Sequence, residues 1–392
     1  MTLKPIALIA LLAMPAMASA ATPLWLRDVK ISPDGSSIAF CYRGDIFTVP
    51  ATGGKATRLT ATDDYESVPV WSPDGSKIAY ASDKNGNFDV YMIDAAGGTP
   101  MRLTYNSANE TPEAFTSDGS AVLFSAAIQA PVESAMFPSG RMTQLYSVPV
   151  TGGASTQVLG TPARFVSWLP DGKSFLYQDV KGFEDEWRKH HTSSVTRDIW
   201  LYTPDGRHTN LTARGGEDTN PVAAGDDKFY FLSERDGKTV NVFEATYGDP
   251  AHAVAVTDFT THPVRFLSRA DSGKLAFTYD GEIYTLTPGA TPAKVVIDVV
   301  EDTTPDIEKM AVRSGASEAV PSPDGKNVAF VFRGNVFVTS VEYPTTRQIT
   351  FTPEAEKQVS WGPDSKTLYY TSERDGRYNI YKATMGKDDE PD

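Results

Sequence analysis

The chain predicts an all-β fold, a β-propeller built of four-stranded antiparallel blades, and three observations carry that reading. A Ser-Pro-Asp-Gly turn, or a degraded copy of it, recurs with its last residue at Gly35, Gly75, Gly119, Gly172, Asp227, Gly273, Gly325 and Ser365. The intervals are 40, 44, 53, 55, 46, 52 and 40 residues. At such a period each unit is too small to bury its own apolar face and must stack on its neighbours. Between the turns lie short runs rich in β-branched and aromatic residues, and 30 Gly and 27 Pro in 392 residues suit many short strands joined by tight turns.

The first twenty residues read as an export signal. Lys4 supplies the positive start, 6–14 an apolar core, and Ala18-Ser19-Ala20 a small-residue cleavage site. The mature chain is expected to start at Ala21 and to be periplasmic or extracellular, with no stable membrane insertion after cleavage. No other apolar run is long enough to span a bilayer.

The best-preserved unit, SVPVWSPDGSKIAYASDKNGNFDVYMIDAAGGTPMRLT (67–104), shows the blade frame. Runs at 68–72, 77–82, 88–94 and 100–104 alternate with the turn signals Pro73-Asp74-Gly75, Asn85-Gly86-Asn87 and Gly97-Gly98. Proline presets φ at the second turn position, Asp bonds its own backbone, and Gly accepts positive φ. The frame returns at 31–60, 321–350 and 361–385. Six blades are complete by about Ile297, so residues 21–298 are expected to close as a six-bladed ring. Closure is expected from apolar packing of first against last blade, with no swapped strand. The charged stretch 299–316 reads as a linker, and 317–392 as the first two blades of a second, incomplete propeller. A single eight-bladed ring is the competing arrangement.

Charge and composition narrow the partners. Lys and Arg number 36 against 50 Asp and Glu, a net of −14 that becomes −15 when Lys4 leaves with the signal. Such a surface opposes nucleic acid and anionic lipid. Cys41 stands alone in an apolar strand and reads as a buried, inert thiol. No Cys/His cluster has metal-ligand spacing and no Gly-rich loop precedes a helix, so neither metal nor cofactor is expected. The five histidines lie near no Gly-x-Ser-x-Gly elbow, and no catalytic residue is assigned.

Two sets of residues are candidates for binding. The connections into inner strands carry Asp63, Asp64, Glu66, Glu110 and Asp218. They read either as an acidic ring at one channel mouth, favouring peptide amino groups, or as ordinary Asp-rich turns. The fourth unit carries an insertion at 181–197 in which Trp187, Arg188, Lys189, His190 and His191 follow in a row. Loops of that length inside a repeat are usually functional or disordered. An indole beside a guanidinium can grip a peptide or a neighbouring domain. The insertion is expected to leave the blade and dock on a partner.

The blades at large, together with 142–148 (MTQLYSV), 184–201 (EDEWRKHHTSSVTRDIWL) and 322–337 (SPDGKNVAFVFRGNVF), resemble the N-terminal region of tricorn-like serine peptidases. TolB-like periplasmic propellers share the blade motif and are the second resemblance. The first implies a six-bladed propeller followed by a seven-bladed one, then a protease region with a PDZ-like module. It also implies that the propellers guide peptides to a serine nucleophile far downstream, so no catalytic residue carries over. Expected partners are peptides or unfolded polypeptide, a downstream peptidase domain or other envelope proteins, and a second copy of the chain. The TolB resemblance implies instead an exported protein-interaction scaffold.

Overall fold

The computed structural model describes residues 23–128, 142–182, 188–299 and 314–386. Strands and turns make up all of it, with no helix among the described residues. Seven four-stranded antiparallel sheets and one three-stranded sheet follow in chain order. The first blade is Arg27–Ile31, Ser37–Tyr42, Asp45–Pro50 and Thr57–Arg58. The inner strands of the next five are Glu66–Trp71, Glu110–Phe115, Ala163–Trp168, Asp218–Ala223 and Arg265–Arg269. The seventh sheet starts at Glu318–Pro321 and the eighth at Glu356–Trp361.

In the ring, second strands are nearly continuous apolar runs because each blade is covered on both faces. Ile38, Phe40, Ile78, Val122, Phe229 and Phe231 are all fully buried. The Ser-Pro-Asp-Gly turn preceding them is self-bracing. Ser32 Oγ donates to Asp34 Oδ1 at 2.6 Å, the Ser36 amide donates to the same oxygen, and Gly35 closes the turn onto the Ser32 carbonyl. Ser72–Ser76 and Thr116–Ser120 repeat the arrangement.

Inner strands are fastened blade to blade by side chains reaching backbone. The Trp71 indole donates to the Lys30 carbonyl, Trp168 to Phe115, and Trp361 to Val320, all within 3.0 Å. Carboxylates of Asp28, Glu113 and Glu318 accept the amides of Val68, Phe165 and Gln358 in the following blade. Those three acceptor-facing residues sit at φ of 52°, 54° and 57°, inside bulges of their strands. Non-glycine residues there are strained, and the fasteners hold them in place.

The ring closes after six blades. The Ile31 amide donates to Ser268 Oγ, Asp271 to the Pro33 carbonyl and Leu26 to the Gly281 carbonyl, joining the sixth blade to the first. That contact excludes a single eight-bladed ring. Closure differs from the expectation in one respect. The chain returns from the sixth blade as Ile297–Asp298, which pairs parallel with Gly54–Lys55 of the first. Apolar packing is present as well, with Val295, Ile297 and Val299 joining one cluster with Leu26, Val29, Ala276 and Ile283. The latch is two residues long and lies outside the periodic motif, which is why the turn spacing does not reveal it. The seventh and eighth sheets pack on each other through Ala329, Val331, Val336, Val359, Leu368 and Tyr370.

Gly53 sits beneath the latch at φ +90°, and a Cβ there would lie 2.6 Å from the Val296 carbonyl oxygen. Gly53→Ala is therefore expected to cost about 1–3 kcal/mol by opening the seam. Urea unfolding measures it: a lower midpoint is expected, and an unchanged midpoint removes the latch from the stability of the ring.

Candidate functional site

Antiparallel topology sorts the loops of the ring by face. Turns between first and second strands, the Ser-Pro-Asp-Gly type, lie on one face. Second-to-third turns and inter-blade connections lie on the other, which holds every candidate binding residue among the described residues.

The connection acids divide sharply. Asp63 is exposed and Asp64 half-buried, whereas Glu66, Glu110 and Asp218 are 2%, 1% and 0% exposed. The three buried ones open their inner strands and face the end of the second strand. Glu66 Oε1 accepts from Thr62 Oγ1 at 2.7 Å and from Ser82 Oγ at 3.3 Å. Asp218 accepts from Ser233 Oγ, Arg214 Nε and Arg235 Nη2. Glu356 pairs with Ser372 in the same way. In the third blade Ala126 stands opposite Glu110 where the others have Ser. These carboxylates tie connection to blade, and their burial takes three of the five expected charges off the channel mouth.

The described part of the fourth-blade insertion from 188 to 197 folds back on its own ring. Trp187 lies outside the described residues, and Arg188 is exposed. Lys189 Nζ donates to the Thr261 carbonyl at 3.3 Å. The His190 amide donates to Glu234 Oε2 at 2.6 Å, with its Nδ1 3.0 Å from the same oxygen. His191 is buried, its Nδ1 2.9 Å from Glu217 Oε1, while the Arg197 amide donates to Glu217 Oε2 at 3.1 Å. The expected excursion away from the blade is thus, for residues 188–191, a strap across the fifth and sixth blades. Glu217 and Glu234, acids on the adjoining blade, are the signal that could have located its dock.

One side-chain contact reaches across the middle of the ring. Lys30 of the first blade extends until its ammonium lies 5.9 Å from the ring centroid of Phe165 in the fourth, within cation–π range. In a ring of six, those blades stand opposite each other, so the contact crosses the axis. Burial lowers the Lys30 pKa, against the pull of Glu113 and Asp28. Cys41, on the second strand of the first blade, is a buried free thiol, pushed up well above the usual thiol range by burial. Such a thiol stays protonated, as its apolar strand suggests.

Sequence reasoning missed a cleft of about 820 Å³ between the ring and the seventh and eighth sheets. Its walls carry Arg27, Arg43, Tyr65 and Phe88 from the ring, with Phe332 and Arg333 from the seventh sheet. Arg43-Gly44 and Arg333-Gly334 are matching two-residue hairpin turns with φ of 52°/86° and 49°/77°. That geometry is the type I′ turn favoured in hairpins. Arg333 bridges the two bodies: Nη1 donates to the Asp63 carbonyl at 3.3 Å, Nη2 lies 3.5 Å from Asp83 Oδ2, and the guanidinium lies 5.8 Å from the Tyr65 ring centroid. The signal was available as the paired YRGD and FRGN segments. Among the described residues no group of three or more His, Cys, Asp or Glu could hold a metal ion, and no helix is long and apolar enough to cross a membrane.

Residues 23–291 match the family described as the tricorn protease N-terminal β-propeller domain. The tricorn protease of Thermoplasma acidophilum is 25% identical over 254 residues, which are 64% of this chain and 23% of that protein. This chain therefore spans about a quarter of that relative's length. A crystal structure of the tricorn protease superposes with a TM-score of 0.60 at 21% identity, covering 93% of this chain and 36% of the other. TolB from Acinetobacter baumannii gives 0.52 at 18% identity over 66% of this chain and 62% of its own. At these identities the two structures establish the fold alone.

Burial pushes the carboxyls of Glu66 and Glu110 up to about 7, their hydrogen bonds from Thr62 and Thr104 opposing it. The folded chain therefore keeps protons that the unfolded chain releases near pH 4.5. The associated stability is present below that pH and is lost as pH rises through about 7. In urea unfolding, the midpoint is expected to fall between pH 5 and pH 7.5. The double variant Glu66→Gln, Glu110→Gln should flatten that fall. An equally steep decline in the variant would show that both groups are ionised throughout.

Proposed function

The chain belongs to the tricorn protease N-terminal β-propeller family, and on that premise we propose that it is the non-catalytic propeller region of an exported tricorn-like serine peptidase. Its task is to bind peptides or unfolded polypeptide and guide them to a protease domain carried elsewhere in the parent protein. The observation that carries this reading is the family match over 23–291, which takes in the six blades. Peptide chemistry suits the loop face, where guanidinium groups and aromatic rings from separate blades share one cleft. The Lys30–Phe165 contact favours capture on that face over threading along the axis. Export rests on the first twenty residues, and acidity suits an exported, soluble surface.

The test uses the purified chain from Ala21 and a fluorescein-labelled denatured casein digest. Saturable binding without cleavage is expected, with Kd of roughly 10–500 μM, the weak end of specific recognition. Cleavage of the digest by the chain itself, or no binding at millimolar concentration, would contradict the proposal. Retention of a folded partner protein with no peptide affinity would favour the scaffold reading suggested by the TolB-like fold. N-terminal sequencing of the exported product is expected to begin at Ala21.

A further inference from the structure

We propose that the cleft between the ring and the seventh sheet is a recognition site for a short peptide segment in which a carboxylate lies beside an apolar side chain. This rests on the peptide-binding reading above and gives it a location and a ligand chemistry. The cleft reverses the charge of the protein around it. Arg27, Arg43 and Arg333 line it together with Asp83 and Glu354, in a chain whose net charge is −14. The two carboxylates are already engaged or withdrawn. Asp83 Oδ1 accepts the Tyr65 amide at 2.7 Å, its Oδ2 faces Arg333, and Glu354 is buried. Three guanidinium groups outnumber the two carboxylates in the lining, and a planar fork of N–H donors matches a carboxylate in two parallel bonds.

The apolar half of the ligand has its own place. Phe351 is 72% exposed and Leu24 40% exposed, although both line the cleft. Tyr65 and Phe88 pack edge to face beside them, with ring centroids 6.2 Å apart. Large apolar groups kept in water next to arginines suit an amphipathic ligand better than a small anion, which would leave them uncovered. The volume, about 820 Å³, falls in the range of roughly 300–1,000 Å³ typical of ligand clefts.

The walls are also built to hold their shape. Arg43 and Arg333 each occupy the first position of a type I′ turn, which fixes where each side chain leaves the backbone. Tyr65 closes tightly over the first of these turns, since a Cβ on Gly44 would lie 3.1 Å from its ring. One turn belongs to the ring and the other to the seventh sheet, so a carboxylate held by both arginines would bridge the two bodies.

The site is tested by fluorescence polarisation with labelled hexapeptides on the chain from Ala21 to Asp392. One peptide pairs Phe with Glu and has a free C-terminus. Its companions carry an amidated C-terminus, Gln for Glu, both changes together, or Lys for Glu with the amide. Arg43→Asn and Arg333→Asn remove the guanidinium while leaving an Asn-Gly turn, the pair that type I′ geometry prefers. The acidic peptide is expected to bind, the Arg43→Asn variant to weaken it several-fold with its unfolding midpoint unchanged, and the double variant to weaken it about tenfold or more. Loss on Gln substitution places the carboxylate on the side chain, and loss on amidation places it at the terminus. Equal binding of the peptide lacking both carboxylates, or of the Lys peptide, overturns the site. So does unaltered affinity in the double variant, and in these cases the peptide-binding reading survives. If neither these peptides nor the casein digest binds the wild-type chain, that reading itself fails.

Discussion

Each blade of the six-bladed ring has two apolar faces that its neighbours cover, and that constraint organises the ring. A stack of such blades is stable only when its first and last members meet. The meeting is made by Ile31, Leu26 and Pro33 against Ser268, Gly281 and Asp271, and is sealed by Ile297–Asp298 alongside Gly54–Lys55. The inner strands accept strain at Val68 and Phe165 because carboxylates of the preceding blade hold their amides. Tight inner packing also brings opposite blades close enough for Lys30 to lie over Phe165. Closure thus lets a side chain of the first blade reach one of the fourth across the ring.

The two faces are chemically different because of what each kind of turn demands. Ser-Pro-Asp-Gly turns consume their polar groups internally; hydrogen bonds from Ser or Thr and from backbone amides hold Asp34, Asp74 and Asp118 down to about 2. Little chemistry is left over on that side. The opposite face carries turns such as Arg43-Gly44 and Arg333-Gly334, whose side chains have no part in the turn itself and project outward. It also takes the insertion of the fourth blade, strapped down by Glu217 and Glu234.

The blade architecture was legible in the sequence because a turn motif repeats wherever a first strand meets a second, and each repeat announces itself through Pro, Asp and Gly. The count of six followed from one inner strand preceding each turn up to about Ile297, with a long charged stretch after the sixth unit. The parallel latch was not legible, since two residues at Ile297–Asp298 carry no periodic signal and their partner lies some 240 positions away. Among site residues, residue type located the loops but could not tell exposed from buried carboxylates. Glu66 and Asp63 look alike in the chain, yet only Glu66 starts a strand opposite a serine. The cleft was missed for a related reason. Its arginines come from units separated by 290 residues, and only their matching turns connect them.

The central claim is that this propeller holds its ligand on the loop face and not along its axis. Hydrogen–deuterium exchange of the chain with and without a saturating acidic peptide tests it most directly. Increased protection is predicted at 41–44, 64–66 and 331–335, with the axis-facing segments 30–31 and 165–168 of the inner strands unchanged. Protection concentrated on 30–31 and 165–168, with the cleft turns unaltered, would show that the peptide enters the channel and would contradict peptide capture on the loop face.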